Sequence, residues 1–265
     1  MLRRHPQSVF APDAWVFPGG QVDGADGAAD VATACQGLTD AEASATLGIA
    51  SGGLAFWVAA ARECFEEAGI LLARPAARGA ERPRGETLDA TRLARHRRDL
   101  HAGRTTLAQV LAAEDLVVDL GRVYYVSHWI TPPGGSRRFD TRFFLAATPP
   151  AQMASHDAAE TVESVWTTPA ALLSRYAAGE VHLVFPTIKN LETLARFDTV
   201  DQLLETARAL GSAPGFPGHP PMACAAAAAG ARGAPGNGSV RGASELTSKL
   251  GGMRLQPPPD RRVNA

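Results

Sequence analysis

Four charged residues in one short stretch have the types and spacing of a metal-binding surface. The segment 59–72, AAARECFEEAGILL, places Glu63, Glu66 and Glu67 at positions i, i+3 and i+4, which are neighbours on the surface of a helix. Three adjacent carboxylates repel one another, and Arg62 offsets only part of that repulsion. A divalent cation bound against them would stabilise the cluster. The alternative is a solvated acidic face of the helix.

Further acidic residues lie later in the chain. The segment 156–166, HDAAETVESVW, offers Asp157, Glu160 and Glu163 as carboxylates that could accept a proton. Each could equally be a surface carboxylate on a loop. Asp140 lies among arginines in a β-rich segment, and we interpret it as an ion-paired structural residue; the alternative is that those arginines bind phosphate groups.

Periodicity and turn signals predict the elements that position these residues. The glutamate cluster lies on a helix predicted from Leu54 to Ala68, with Gly69 at its C-terminal cap and Cys64 as a buried structural thiol. Further helices are predicted at about 39–46, 87–101, 105–115, 168–179, 186–197 and 199–210. β-structure is predicted at 70–73 and in two segments, 116–132 and 137–149, that the turn signal PPGGS joins. Residues 1–20 are predicted to form a loop, and residues 212–265 a disordered low-complexity tail.

Composition argues against several classes of protein. The 265 residues carry a formal net charge of −1, without the basic excess that is typical of nucleic-acid binding. The three cysteines are far apart and form no CxxC pair, which is typical of a reducing compartment without disulfides or a zinc knuckle. No apolar run reaches the roughly 18 residues of a membrane span, and the N-terminus lacks the apolar region of a signal peptide. We therefore predict a cytoplasmic protein that binds neither nucleic acid nor membranes.

The glycine loop and the glutamate cluster together resemble a known motif. PGG at 18–20 followed by RECFEEAGI at 62–70 resembles the Nudix box, G-x5-E-x7-R-E-U-x-E-E-x-G-U, in which U is a bulky apolar residue. Gly20 takes the first position, and Asp26 stands where a Nudix protein has its first Glu. A long insertion then separates Asp26 from Arg62. A box divided in this way resembles the branch of the family that includes coenzyme A diphosphatases.

The resemblance implies an α/β fold of the Nudix type, an α/β/α sandwich with a mixed sheet between helices. It implies one domain over residues 1–211, with helical insertions at about 21–52 and 74–104. Family members normally begin with a strand upstream of the segment MLRR, so we expect either an earlier start site or a sheet without that strand. We interpret the Arg-rich second insertion as a solvated face, with phosphate binding as the alternative.

The resemblance also implies a metal site. Glu63, Glu66 and Glu67 would ligate Mg²⁺ or Mn²⁺, and the carbonyl of Gly20 could face the same ion. Such an ion neutralises the phosphates of a diphosphate linkage, orients them and lowers the pKa of a bound water.

Two further roles follow from the resemblance. Arg62 would pair with a glutamate of the box and orient it. The catalytic base would be either a glutamate of the box, Glu66, or an acid of the later loop, where Glu160 best matches the family position.

These expectations favour a metal-dependent hydrolase that cleaves a nucleoside diphosphate linked to another moiety, with coenzyme A or acyl-coenzyme A as the substrate. ADP-ribose or a dinucleotide is the alternative substrate. A non-catalytic Nudix module that binds a nucleotide and regulates a partner is the alternative function, although an intact glutamate cluster argues against it. The partner is therefore a small-molecule nucleotide; the oligomeric state stays open, with a homodimer as one option.

Overall fold

The computed structural model describes residues 1–76, 88–133, 138–150 and 152–210, together with two short strands further on. The helices are α1 (Ala29–Thr33), α2 (Asp40–Leu47), α3 (Leu54–Ala68), α4 (Ala90–His101), α5 (Leu107–Ala113), α6 (Pro169–Ala177), α7 (Phe185–Leu194) and α8 (Val200–Leu210). The strands are β1 (Leu2–Arg4), β2 (Trp15–Val16), β3 (Cys35–Gln36), β4 (Ala73–Pro75), β5 (Leu116–Asp119), β6 (Val123–Ile130), β7 (Phe139–Ala146), β8 (Thr161–Ser164), β9 (Met222–Ala223) and β10 (Met253–Leu255). Two 3₁₀ turns lie at Gly24–Gly27 and Leu120–Arg122.

The strands form three small sheets. β1 lies between β2 and β8, antiparallel to both, so that Leu2 is opposite Val16 on one side and Ser164 on the other. β6 and β7 form an antiparallel hairpin, to which β9 and β10 add at the edges. In the third sheet β5 pairs with β3 in parallel and with β4 antiparallel. Mixed pairing among helices confirms the predicted α/β class.

Helix α3 is the centre of the largest apolar core. Most of its residues are buried, and Trp57 donates an indole N–H to the Val123 carbonyl at 2.8 Å. Phe65 packs in the same cluster as Leu111 of α5 and Val118 of β5. A helix that is buried on nearly every side must be surrounded by other elements. The glutamates of α3 are therefore held in a fixed frame.

The remaining helices complete two smaller cores. Helices α6 and α7 pack around Trp15 through Leu172 and Leu191. Helix α8 packs Ala207 against the hairpin of β6 and β7. Among the described residues, none of these helices is long and apolar enough to cross a bilayer.

Several predicted elements are confirmed. Helix α3 begins at Leu54 and ends at Ala68, and Gly69 follows with φ of 70° in the left-handed conformation. Helix α2 confirms the helix predicted at 39–46, and α4 to α8 confirm the five later helices. The β-rich segments 116–132 and 137–149 contain β5, β6 and β7. Most of the turn predicted between the last two lies outside the described residues.

Two predictions of local structure are wrong. Residues 1–20 contain β1 and β2, which are too short for an alternating pattern; they pair with each other, and β1 also pairs with the distant β8. The strand predicted at 70–73 begins only at Ala73. At Leu71, the side-chain amide of Gln152 bonds both the backbone N–H and the C=O, at 2.8 and 2.9 Å, where a neighbouring strand was expected.

The inserted segment 21–52 contains more structure than the sequence indicated. A 3₁₀ turn, α1 and β3 precede the predicted α2. Within 212–265 the structure describes only β9 and β10. The rest of that segment lies outside the described residues, and its disorder stays a prediction.

Candidate active site

The glycine loop that follows β2 lies directly against the glutamates of α3. The backbone N–H of Gly19 donates to Oε2 of Glu67 at 2.9 Å. A Cβ atom at Gly20 would overlap the carboxylate of Glu63, which would then have to move from its place beside Arg62. The loop and the helix, distant in sequence, therefore form one site, as the divided box predicted.

Arg62 connects the two halves of the box. Its Nε and Nη2 donate to the two oxygens of Asp26 at 2.8 and 3.0 Å, a bidentate pair. Its Nη1 donates to Glu63 at 2.8 Å and to Glu66 at 3.1 Å, and Nη2 also reaches the carbonyl of Gln21 at 2.7 Å. Burial opposes the charged guanidinium, but these acidic partners outweigh it and raise the pKa of Arg62. This geometry fits the orienting role expected for Arg62.

Asp26, which stands where the box has its first Glu, is a buried partner of Arg62. Its side chain is 2% exposed, and it also accepts the backbone N–H of Asp23 at 2.8 Å. The shorter carboxylate therefore still reaches the arginine, because the 3₁₀ turn at Gly24–Gly27 packs against α3.

Glu67 is the most deeply buried carboxylate of the cluster. Burial and the neighbouring charge of Glu63 raise its pKa well above the usual range, and the charges of Glu160 and Asp157 add to this. The hydrogen bond from Gly19 acts in the opposite direction. Among the described residues, no Arg, Lys or His forms an ion pair with this carboxylate. A buried carboxylate surrounded by like charges has a strong tendency to bind a cation or a proton.

The loop before β8 brings two more carboxylates to the same region. Asp157 accepts the backbone N–H groups of Ala159, Glu160 and Thr161 and the hydroxyl of Thr161, at 2.8 to 3.2 Å. These bonds outweigh burial and lower the pKa of Asp157. Asp157 thus shapes the loop, while Glu160 contributes its charge to the field at Glu67. The role of Glu160 as a base stays a prediction.

Arg97 of α4 is a site residue that sequence reasoning missed. Its Nε donates to the Glu66 carbonyl at 2.7 Å, and its Nη2 donates to the carbonyls of Glu67 and Ser155 at 2.8 and 2.9 Å. Its Nη1 reaches the hydroxyl of Ser155 at 2.9 Å. The guanidinium therefore joins the C-terminus of α3 to the loop that contains Asp157. No side-chain pattern could reveal this, because most of its partners are backbone atoms.

A divalent cation requires several oxygen ligands that converge on one point. Within the part of the chain that the structure describes, no three Asp, Glu, His or Cys side chains are arranged to hold one ion. The buried oxygens of Glu63 and Glu67, on successive turns of α3, are nevertheless the hard ligands that Mg²⁺ and Mn²⁺ prefer. Burial and the charge of Glu63 raise the pKa of Glu67, so a cation beside this carboxylate would stabilise its charged form. The residues present fit a divalent cation, and the individual ligands stay predictions.

Two other residues have structural roles. Asp140 accepts from Arg142 Nη1 at 2.8 Å and lies 2.5 Å from Nε2 of His128, which confirms the ion-paired interpretation. Burial and the charge of Glu67 raise the pKa of the Cys64 thiol to about 12, so it stays protonated at neutral pH, as expected for a structural thiol.

Comparison with known proteins identifies the family. The model of the NUDT19 Nudix domain matches residues 39–194. The acyl-coenzyme A diphosphatase NUDT19 of Gallus gallus is 32% identical over 236 residues, which cover 76% of this chain and 62% of the relative. The protein of the same name in Homo sapiens is 30% identical over 231 residues, 77% of this chain and 62% of the relative.

A solved structure agrees with the sequence matches. The crystal structure of a NUDIX hydrolase from Alicyclobacillus acidocaldarius superposes with a TM-score of 0.62 at 30% identity, and covers 77% of this chain and 86% of that one. The chain spans 62% of the length of the two curated relatives. With the glycine loop and α3 forming one acidic site, these matches show that the chain belongs to the Nudix family, as a NUDT19-type Nudix domain.

Proposed function

We propose that this protein is a Mg²⁺- or Mn²⁺-dependent hydrolase that cleaves the diphosphate linkage of coenzyme A or acyl-coenzyme A. The observation that carries the proposal is the buried carboxylate pair of Glu63 and Glu67 against the glycine loop, with the acidic loop of Glu160 beside it. Burying so much negative charge is costly unless a cation compensates it. A diphosphate ester bound through such a cation is a substrate that this charge arrangement fits.

The roles proposed for the residues come from the Nudix box, and the contacts support the role of Arg62. Glu63, Glu66 and Glu67, with the Gly20 carbonyl, would hold the cation. When bound, the cation neutralises phosphate charge and lowers the pKa of a water molecule. Arg62 fixes the side chain of Glu63 through a 2.8 Å ion pair.

One residue must also act as the base that accepts the proton of the attacking water. Glu66 is hydrogen-bonded to Arg62 at 3.1 Å, and a carboxylate that pairs with a guanidinium is a weaker base. We therefore favour Glu160 over Glu66. Glu160→Gln should lower kcat and leave the affinity for Mg²⁺ unchanged, whereas Glu66→Gln should also weaken Mg²⁺ binding. The reverse result would assign the base to Glu66.

The substrate is proposed from the family branch. Two curated relatives bear the name acyl-coenzyme A diphosphatase, and the divided box resembles that branch. In the proposed reaction water adds to one phosphorus and the P–O–P bridge breaks. The products are 3′,5′-ADP and 4′-phosphopantetheine, which keeps its acyl group when acyl-coenzyme A is cleaved.

A competition assay tests the substrate. Equimolar coenzyme A and ADP-ribose are incubated with the protein and Mg²⁺ or Mn²⁺, and the products are followed by mass. We expect 3′,5′-ADP and 4′-phosphopantetheine to form first. Cleavage of ADP-ribose with coenzyme A untouched would reject this substrate and favour the alternative, while hydrolysis itself would still be supported.

A substitution tests catalysis separately. Glu67→Gln should lower kcat roughly 100-fold or more, since it removes one buried charge from the proposed cation site. Glu192→Gln is the control, because Glu192 is exposed and forms a surface ion pair with Lys189. Full activity of the Glu67 variant would reject the metal assignment. Nucleotide binding by the unsubstituted chain without turnover of any diphosphate would favour the non-catalytic alternative.

A further inference from the structure

A cavity of about 750 Å³ lies between α4 and the loop that precedes β8, next to the C-terminal end of α3. Leu93, Leu116 and Pro149 give it apolar walls. Its volume and mostly apolar lining, with a few polar groups, are typical of small-molecule sites. Glu66 and Asp157 also line it, so the cavity is continuous with the acidic site.

Helix α4 places positive charge in this cavity. Arg97, Arg98 and His101 all line it. The guanidinium of Arg97 is occupied by the backbone carbonyls at the end of α3 and by Ser155. In the described part of the chain, no carboxylate forms an ion pair with Arg98. A cation at a cavity wall without such a partner is suited to an anionic ligand.

Helix geometry orders these groups along the cavity. Leu93, Arg97 and His101 are four residues apart and lie on one stripe of α4. Arg97 binds the backbone carbonyls of Glu66 and Glu67, and His101 lies about 6 Å further along α4. Arg98 is on the neighbouring stripe, directly after Arg97. The cavity therefore changes from acidic at α3 to basic at the end of α4.

We propose that this cavity binds the nucleotide half of the substrate and that Arg98 and His101 bind its 3′-phosphate. The proposal rests on the proposed function and deepens it. In 3′,5′-ADP one ribose bears both the 5′-phosphate, which belongs to the cleaved linkage, and the 3′-phosphomonoester. In the substrate, the 3′-phosphate lies a few bonds beyond the cleaved diphosphate linkage. In the cavity, His101 lies about one helical turn beyond Arg97, the residue that contacts the end of α3. The apolar walls receive the base.

The test compares coenzyme A with 3′-dephospho-coenzyme A, which differ only in that phosphate. Steady-state kinetics are measured for the unsubstituted chain and for Arg98→Ala, His101→Ala and the double variant. Arg95→Ala is the matched control, because Arg95 lies on the same helix with 74% of its side chain exposed and does not line the cavity. Thermal unfolding confirms that each variant is folded.

We expect the unsubstituted chain to have the higher kcat/KM with coenzyme A. Arg98→Ala should lower the ratio of kcat/KM for coenzyme A to that for the dephospho form roughly tenfold, the effect of one hydrogen bond to a charged group. The double variant should bring the ratio close to one. An unchanged ratio in the double variant, or an equal fall in the Arg95 control, would overturn the proposal.

A binding measurement separates this proposal from the proposed function. Calorimetric titration with 3′,5′-ADP and with 5′-AMP needs no turnover. Tighter binding of 3′,5′-ADP that Arg98→Ala abolishes would support the cavity assignment even for a chain that cleaves neither coenzyme. Equal binding of the two nucleotides would overturn it even for a chain that hydrolyses coenzyme A.

Discussion

Arg62 and Asp26 carry the main electrostatic connection between the two halves of the box. Their side chains are 8% and 2% exposed, so the pair is almost fully removed from water. A buried guanidinium that loses one partner keeps its desolvation cost. Asp26 is therefore expected to matter for stability as much as for positioning Glu63.

We predict that Asp26→Asn lowers the free energy of unfolding by about 3 kcal/mol, the lower end for a broken buried pair because other partners of Arg62 remain. Urea denaturation measures this value. Asp23→Asn is the matched control: Asp23 is 3.8 Å from Arg62 with 63% of its side chain exposed, so its loss should cost less than about 1 kcal/mol. Similar costs for the two substitutions would contradict the assigned importance of Asp26.

The raised pKa of Glu67 predicts that the free energy of unfolding of the metal-free chain depends on pH. Burial and the charge of Glu63 raise the pKa of Glu67 in the folded chain, whereas a glutamate in the unfolded chain has a pKa of about 4.3. As pH rises above that value the unfolded chain loses its proton first, so the free energy of unfolding falls until the folded pKa is passed. Glu67→Gln removes this loss.

In EDTA, the melting temperature of Glu67→Gln minus that of the unsubstituted chain should grow between about pH 4 and pH 8. Thermal unfolding across this range measures the difference, and Glu192→Gln serves as the control for a surface glutamate. A difference that is largest at acid pH would mean that the pKa of Glu67 is lowered rather than raised.

At the level of elements, helix α3 is held at both ends by the inserted segments. Asp40 of α2 accepts the backbone N–H groups of Gly52 and Leu54 at 3.0 Å, at the N-terminus of α3. Arg97 of α4 binds the carbonyls of Glu66 and Glu67 at the C-terminus. A carboxylate at the first end and a guanidinium at the last both match the helix dipole.

Gly69 allows α3 to end beneath Arg97. Its φ of 70° is costly for other residues, and a Cβ there would lie 3.1 Å from Arg97 Nη1. We predict that Gly69→Ala costs more stability than Gly48→Ala, the control, where φ is 66° and nothing lies within 4 Å of the added Cβ. Gly48→Ala should cost about 1 kcal/mol from backbone strain alone. Equal losses in urea denaturation would show that Arg97 accommodates the added atom without cost.

The sequence predicted elements well where nearby residues stabilise them and poorly where residues distant in sequence do. Helix α3 was predicted to the residue because its apolar positions and Gly69 are local signals. Strands β1 and β2 are too short to leave an alternating pattern, and β1 pairs with the distant β8, so local signals did not predict them. Within the site, Arg62 and the glutamates came from the motif, whereas the contacts of Arg97 are made largely to backbone atoms and leave no pattern in the sequence.

At the level of the whole molecule, the predicted division at residue 211 can be tested by truncation. A chain of residues 1–211 retains every side chain placed in the acidic site and in the cavity. We expect its melting temperature and its kcat to match those of the full chain. A clear fall in melting temperature would instead show that β9 and β10, which pair with the hairpin of β6 and β7, contribute to stability.

The contacts at the two ends of α3 have an evolutionary consequence. Asp40 and Arg97 bind backbone N–H and C=O groups, which any sequence of α3 would present. Selection can therefore alter other side chains of the inserted segments, and with them the walls of the cavity, as long as Asp40 and Arg97 keep these contacts and Asp26 keeps its ion pair with Arg62. Descendants of one such domain are then free to differ in the ligand that their cavities bind while they inherit the same acidic site.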